Sequence, residues 1–379
     1  MAIFYILIHE LNFTPPFSGT YFPPAVKVVA IPKKQGGVRM LGVPTVTDRI
    51  AQMTIKLAFE PCIEPYFKAD SYGYRPNKSA LDAVGITRQR CWKYDWVLEF
   101  DIRGLFDNID HELLMKAFRK HTDNAWVILY IERWLTAPMQ MPDGTIVKRN
   151  RGTPQGGVIS PVLSNLYLHY VFDVWMTTCH GGNQWCRYAD DGIIHCSTEI
   201  EAQALLDKLT QRFAECKLEL HPDKTKIVYC KDSNRRGNYP NVAFKFLGYE
   251  YRGRSAENKA TKTYFVSFLP GVCKEARKEM TAKIRQLNIR NRSDLSFEAI
   301  AYWLNPIING WINSYGRYTK SALTVALRQI NSTLIRWSMN KYKKLRGHFT
   351  IAAKLMRKIA ISRKYLFAHW KIGISSAFV

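Results

Sequence analysis

Three aspartates carry the strongest chemical signal in the sequence. Asp101 sits near the end of the apolar run Val97-Leu-Glu-Phe-Asp-Ile102, which has the composition of a strand. Asp190 and Asp191 fall inside Trp185-Cys-Arg-Tyr-Ala-Asp-Asp-Gly-Ile-Ile-His-Cys196, where two β-rich flanks enclose an Ala-Asp-Asp-Gly turn. Adjacent carboxylates at such a turn repel each other unless something cationic sits there. Aspartate favours turns for its own reasons, so Tyr188-Ala-Asp-Asp191 alone also reads as a solvated hairpin tip. Adding Asp101 supplies the third carboxylate needed to hold two hard divalent ions. An ion pair of that kind, roughly 3.5–4 Å apart, clamps the attacking and leaving oxygens of an in-line phosphoryl transfer.

The surrounding residues give the elements that must position these carboxylates. Asp110 can cap a helix with Glu112 in its first turn and Leu113, Leu114, Ala117 and Phe118 along its buried face. In Arg151-Gly-Thr-Pro-Gln-Gly-Gly-Val-Ile-Ser-Pro161, Ser160 and Pro161 suit the N-cap and first position of another helix. Its stripe is Val162, Leu163, Leu166, Tyr170, Val171 and Val174. Gln155-Gly156-Gly157 lacks bulk, so a base or sugar could lie against backbone there; a Gly-rich turn before a helix is common and says little by itself. Short β-type runs alternate with amphipathic helices as far as the polar stretch Arg252 to Lys262, which reads as a boundary between units, and Lys231 to Pro240 reads as a loop inside the first unit. Beyond the boundary the pattern is helical. One stripe is Ala276, Met280, Ile284 and Leu287, a second is Phe297, Ile300, Leu304, Ile307, Trp311 and Tyr315, and a third is Leu323, Leu327, Ile330, Leu334 and Trp337.

A chain of 379 residues suits two or three packed units, and 47% apolar against 23% charged residues excludes a disordered one. No apolar run approaches the ~18–20 residues that span a bilayer. The opening Met1 to Ile8 lacks the basic lead and cleavage site of a secretory signal. Eight cysteines without a C-x-x-C pair read as reduced, cytosolic thiols. Cys179, His180, Cys186, His195 and Cys196 cluster in sequence but not at zinc-site spacing, which favours packing. The net charge is +24, and residues 271–379 carry 21 basic against 4 acidic side chains, a surplus of +17. Because those basic residues lie on helices that also have a core stripe, the polyanion they suit is nucleic acid rather than a membrane surface.

The order of the motifs resembles the palm of reverse transcriptases: Asp101 with Phe106, then Gln155-Gly156-Gly157, then Tyr188-Ala-Asp-Asp191. Leu218-Glu-Leu-His-Pro-Asp-Lys-Thr-Lys226 and Phe244-Lys-Phe-Leu-Gly-Tyr249 are similar to the family's later lysine and primer-grip motifs. Ile31-Pro-Lys33 through Arg39, Leu41-Gly-Val-Pro-Thr45, Asp48-Arg49 and Ser71-Tyr-Gly-Tyr-Arg-Pro76 resemble group II intron reverse transcriptases in particular. Asn309-Gly-Trp-Ile-Asn-Ser-Tyr315 and Phe367-Ala-His-Trp370 are similar to the maturase, or thumb, region of those proteins. The resemblance runs from about Gly19 to the C-terminus. It implies an α+β right-hand polymerase: an unusual lead over 1–18, fingers and a palm with an antiparallel sheet over 19–251, and a basic all-α thumb/maturase region over 252–379.

Carried over by position, the resemblance implies that Asp101 and Asp190 bridge two Mg2+ ions (Mn2+ can substitute). Asp191 adds charge or a ligand, and the Ile102 carbonyl adds a metal contact. Lys33 and Arg39 would hold the incoming triphosphate, Gln155 and Gly156 would border nucleotide and template, and Lys224 would protonate the leaving pyrophosphate. Phe106 stands where an aromatic ring blocks a ribose 2′-OH. Arg75, Gly157, Tyr188, Leu247, Gly248 and Trp311 would line primer and template, and Lys341, Lys343, Lys344 and Arg346 would bind RNA. On residue type alone, Phe106 is a buried strand-end aromatic and Lys224 a solvated turn lysine. Two departures are visible: Met1 to Ser18 does not match the family's N-terminal extension with its lid, and no paired-Cys and His nuclease module is matched before Val379.

The implied function is RNA-directed DNA polymerisation by a group II intron protein that also binds intron RNA to assist splicing and mobility. Its partners would be intron RNA, a DNA primer or target and deoxynucleoside triphosphates, without a membrane, in a prokaryotic cytoplasm beside the nucleoid. One alternative is a non-catalytic RNA-binding splicing maturase; the clustered carboxylates argue against it, because a pure binder gains nothing from them. Another is a related transcriptase of bacterial defence or diversification, against which the Gly310-Trp311 tail argues.

Overall fold

The structure is a computed structural model and describes residues 19, 21–32, 37–258 and 260–374. The lead over 1–18 and Lys33 lie outside the described residues. The chain divides between Val228 and Tyr229 into two compact units.

Two sheets organise the first unit. In one, β1 (Val26–Pro32) pairs antiparallel with β2 (Val38–Val43). The other is assembled around β3 (Trp96–Asp101). The first sheet is completed by β4 (Met139–Gln140), parallel to β1, and β5 (Ile146–Val147), giving the order β2-β1-β4-β5. The second takes in β6 (Trp185–Tyr188), β7 (Asp191–Cys196) and β8 (Lys226–Tyr229), in the order β6-β7-β3-β8. Strands β3 and β7 are buried almost throughout, which explains why both read as near-continuous apolar runs rather than alternating ones. The helices Ala80–Cys91 and Glu199–Glu215 pack on this sheet. Phe172 and Phe213 meet the ring of Phe100 on β3 at centroid distances of 5.1 and 5.9 Å.

The helix His111–Phe118 starts as its sequence dictates, with Asp110 Oδ1 accepting from the Leu113 N–H at 2.9 Å. Ser160 behaves differently from expectation. It is the first residue of the helix Ser160–Leu168, Ile159 is the N-cap, and the Ser160 hydroxyl bonds that of Thr153 at 2.7 Å. Every residue of that helix except Pro161 is buried, so a buried partner satisfies the serine better than the helix end would. A five-residue π turn, His169–Asp173, then leads into Val174–Cys179.

The second unit opens on a meander of β9 (Ala243–Phe246), β10 (Tyr249–Glu257) and β11 (Tyr264–Val272). The Lys231 to Pro240 loop, expected in the first unit, belongs to the second. Arg252 to Lys262, expected as the boundary between units, instead lies within the second unit as well, with Arg252 to Glu257 forming the outer part of β10. Its charges hid a strand because they satisfy one another: Arg252 Nε and Arg254 Nη2 both bond Glu250 Oε2, at 2.9 and 3.2 Å. Pairing along β11 from Tyr249↔Val272 to Glu257↔Tyr264 supplies the rest. The helices Lys274–Gln286, Phe297–Tyr315, Lys320–Lys341 and Phe349–Ser362 follow. Met280, Ile284, Ile300, Leu304, Leu323, Leu327, Ile330, Leu334 and Trp337 share one core, as the stripes require; past Pro306, Ile308 rather than Ile307 is the buried residue. No helix among the described residues is long and apolar enough to cross a membrane.

Candidate active site

The hairpin β6–β7 turns through Ala189 and Asp190, and its register sets Asp191 opposite Asp101 on β3. The Ile102 N–H donates to the Asp190 carbonyl at 3.2 Å, so the turn and the end of β3 are tied together. Gly192 makes room for the ring of Phe100, which lies where a Cβ would be. From the other side, Gly73 packs its Cα against the Ala189 N–H so closely that a Cβ there would collide with backbone. The segment 218–225 runs beside Asp101, whose carbonyl accepts from the His221 N–H at 2.8 Å. That path brings Lys224 Nζ to Asp101 Oδ2 at 3.0 Å.

Burial raises the pKa of Asp190 and the nearby Asp101 charge raises it further. Asp191 is pushed up to about 8, by burial first and then by the charge of Asp190 and a hydrogen bond with Asp101. A like charge beside a carboxylate disfavours its ionised form, so the pair favours a proton or a cation between its members. Among the described residues no group of three His, Cys, Asp or Glu side chains stands ready as a metal cage, and Lys224 occupies one oxygen of Asp101. The donors nevertheless fit hard divalent ions: they are carboxylate oxygens crowded until they need a positive partner, whether proton or cation.

A cleft of about 1060 Å³ opens from these residues, lined by Arg39, Asp101, Ile102, Phe106, Gln155, Asp190 and Lys224 among others. Phe106 lies in the short helix Leu105–Asn108 that follows β3, rather than at the strand end. Its carbonyl accepts from the Thr153 N–H at 2.6 Å, and its ring stands roughly perpendicular to that of Tyr74 at a centroid distance of 6.4 Å. Arg39 Nε donates to Gln155 Oε1 at 2.7 Å, and Gln155 Nε2 donates to Asp107 Oδ2 at 3.0 Å, so Asp107 fixes which way the amide faces. Gly156, at φ +149°, carries the Gly42 carbonyl against its Cα, joining this loop to β2. Gly157 abuts the Ser160 hydroxyl and Gln52, which accepts from the Val158 N–H at 2.8 Å.

Sequence reasoning missed several residues here. Arg103, Lys148, Arg149 and Arg151 also line the cleft, and Arg149 buries an Nη1 that has no hydrogen-bond partner. Arg187 is fully buried next to Tyr188 and bonds Asp173 through two nitrogens, at 2.7 and 2.8 Å. The available signal was an arginine inside an apolar strand, together with Asp173 inside an apolar helical stripe. Arg75 is not brought to the cleft: it is engaged by Glu64 and by the Lys68 and Ser71 carbonyls, over the ring of Phe67. His195, on β7, is buried with neither ring nitrogen bonded, and Cys186 and Cys196 are buried beside it in the sheet.

In the second unit, Leu247 and Gly248 form the left-handed turn between β9 and β10, where Gly248 closes on the Tyr315 hydroxyl. Trp311 is half-buried against the helical core. Lys341 Nζ donates to the Ser293 and Leu295 carbonyls at 2.9 and 2.7 Å, whereas Lys343, Lys344 and Arg346 are exposed. His369 and Trp370 both bond Asn331 Oδ1, at 2.7 and 3.0 Å, docking the Phe367-Ala-His-Trp370 motif on the helix Lys320–Lys341.

Comparison with known proteins bears on this arrangement. Residues 31–251, more than half of the chain, match the family described as reverse transcriptase (RNA-dependent DNA polymerase). Residues 277–356 match the group II intron, maturase-specific domain. Protein YkfC of Escherichia coli is 33% identical over 292 residues, covering 65% of this chain and 72% of that protein. The group II intron-encoded protein LtrA of Lactococcus lactis is 36% identical over 152 residues, covering 40% of this chain and 25% of that protein. Telomerase structures from Candida albicans and Candida tropicalis align with TM-scores of 0.48 and 0.49 at 13% identity, over 96% and 94% of this chain and 65% and 69% of those chains; likeness at that level carries no weight. The two family matches, in the order in which the two sets of motifs run along the sequence, make the chain a member of the reverse transcriptase family of group II intron type, with its maturase-specific domain.

Proposed function

We propose that the chain is an RNA-directed DNA polymerase of a group II intron, extending a primer 3′-OH with deoxynucleotides on an RNA template. The observation that carries this reading is that Asp101, Asp190 and Lys224 line one cleft with Arg39, Arg103, Lys148, Arg149 and Arg151, while Asp191 stands opposite Asp101 in the strand register. Crowded carboxylates among many cations suit a polyanionic substrate with metal, and little else. Two Mg2+ ions, or Mn2+, held by the three aspartates with the Ile102 carbonyl beside them, would supply Lewis-acid stabilisation of the developing charge. Arg39 and Lys33 bind the triphosphate, and an anionic ligand draws Arg39 from Gln155. Gln155 and Gly156 then border the base pair being formed. Lys224, an ammonium already oriented by Asp101, gives its proton to the leaving pyrophosphate. Phe106 closes the space a 2′-OH would need. Residues 19–251 serve as fingers and palm and 252–379 as thumb and RNA-binding region. The setting is the bacterial cytoplasm, where intron RNA and chromosomal DNA are both at hand.

Asp190→Ala tests the reading. Primer extension on an RNA template with Mg2+ falls at least ~100-fold, because removing one ligand of such a site forfeits several kcal/mol of charge stabilisation, while RNA binding persists. Extension within tenfold of the parent protein refutes the assignment. A second role in splicing is favoured by the match to the maturase-specific domain over 277–356 and by the basic surplus of residues 271–379. In that role the Asp190→Ala protein still promotes intron splicing.

A further inference from the structure

All five N–H donors of Arg187 are used, and they hold the aspartate turn from behind. Nε and Nη2 bond the two carboxylate oxygens of Asp173, at 2.8 and 2.7 Å. Nη2 also bonds the Ser71 hydroxyl at 2.8 Å, and Nη1 bonds Asn165 Oδ1 at 3.1 Å and the Ala189 carbonyl at 3.2 Å. Asn165 in turn donates from Nδ2 to the Gly73 carbonyl at 2.6 Å, and Gly73 presses on the Ala189 N–H. The circuit therefore leaves Arg187 for Ala189 by two routes, one direct and one through Asn165 and Gly73. Ala189 sits at φ +57°, a left-handed conformation that a residue with a Cβ adopts only under constraint. Asp173, the anchor, lies in the π turn, and such insertions recur at functional sites because they rotate one residue out of the helical register.

We infer that Arg187 and Asp173 form a positioning pair that fixes the Ala189–Asp190 turn, and so the aim of the Asp190 and Asp191 carboxylates, for metal binding. This rests on the polymerase reading above. A buried ion pair is weak evidence of stability, since well-packed apolar residues often serve as well. What an apolar pair cannot supply is a donor to the Ala189 carbonyl. The double variant Arg187→Met with Asp173→Leu thus separates the two roles: it leaves no buried charge unpaired, yet removes the clamp. Loss of a group that orients metal ligands typically costs ~10–100-fold in affinity or activity.

The test uses the full chain and three readouts: thermal midpoint, Mn2+ binding followed by electron paramagnetic resonance, and primer extension. The double variant melts within a few degrees of the parent protein, binds Mn2+ about tenfold or more weakly, and loses kcat by a similar factor with KM for the nucleotide within threefold. Arg187→Lys guards against misfolding of the double variant. It keeps a positive charge on Asp173, but one ammonium cannot serve four partners, so it too weakens Mn2+ binding. A folded double variant, or Arg187→Lys protein, with Mn2+ binding and kcat unchanged overturns the inference. If Asp190→Ala also leaves Mn2+ binding and extension intact, the polymerase reading itself has failed, and that outcome is distinguishable from the first.

Discussion

Phe106 shows what a single side chain owes to residues far along the chain. Its carbonyl accepts from the Thr153 N–H and its ring packs across that of Tyr74, so on the polymerase reading it has little freedom to yield to a bulkier sugar. Phe106→Ala should raise incorporation of ribonucleotides relative to deoxynucleotides, read as a ratio of kcat/KM values for the two. An unchanged ratio in a folded, active variant means the ring only fills core. Residue type alone would have left Phe106 as a buried strand-end aromatic; its place after Asp101 and before Gln155 in the motif order singled it out. Asp101, Asp190 and Asp191 were legible in the same way, being chemically conspicuous and fixed in order. Arg187 was not, because its meaning depends on Ser71, 116 residues away, and on a π turn that no apolar periodicity announces. Bonds that close over such distances leave only a mismatch in sequence, here a charge inside an apolar run.

The β6–β7 hairpin is the element on which the site depends, and its sequence composition identified it. The strand β10 shows the opposite case, since its outer half looks polar until Glu250, Arg252 and Arg254 are seen to pair on one strand. Within β7, His195 exposes the hairpin to acid. With both ring nitrogens buried and unbonded, its pKa is pushed from 6.5 down to about 3 by burial, with Arg90 adding to the shift. The unfolded chain takes up this proton near pH 6.5 and the folded chain only near 3. Between those values the unfolded state binds more protons, so stability falls as the pH falls. His195→Leu should flatten that decline in urea midpoints measured from about pH 7 to about pH 4.5. Flattening is partial, because His169 and His369 are buried with pKa values lowered to about 4 and 3. An acid limb as steep as the parent's assigns the sensitivity elsewhere. Gly192→Ala tests the same hairpin sterically: the added methyl meets the Phe100 ring, a clash of the overpacking kind that costs ~1–3 kcal/mol, visible as a lowered melting temperature.

At the scale of the whole chain, charge is the property that any partner meets first. Residues 271–379 hold a surplus of +17 within a total of +24, and few carboxylates there are available to pair with it. That imbalance was plain in composition; which cations are free to bind was not. Lys341 belonged with Lys343, Lys344 and Arg346 in sequence, yet its ammonium is bonded to two carbonyls that close the end of its helix onto the Ser293–Leu295 turn. The four residues should therefore separate into two classes. Neutralising Lys343, Lys344 and Arg346 together should weaken binding to structured RNA. It should also reduce the slope of log K against log salt by ~0.7–0.9 for each phosphate no longer neutralised, hence by about 2 or more in all. Neutralising Lys341 alone should lower the melting temperature and leave the slope nearly unchanged, because a lysine already bonded to carbonyls releases no counterion when RNA arrives. An unaltered slope in the triple variant makes that face a solvated one, with the polyanion held elsewhere on the unit. Equal slope changes from Lys341 and from each of the other three mean that its carbonyl bonds give way to phosphate, and that the helix end is remade on binding.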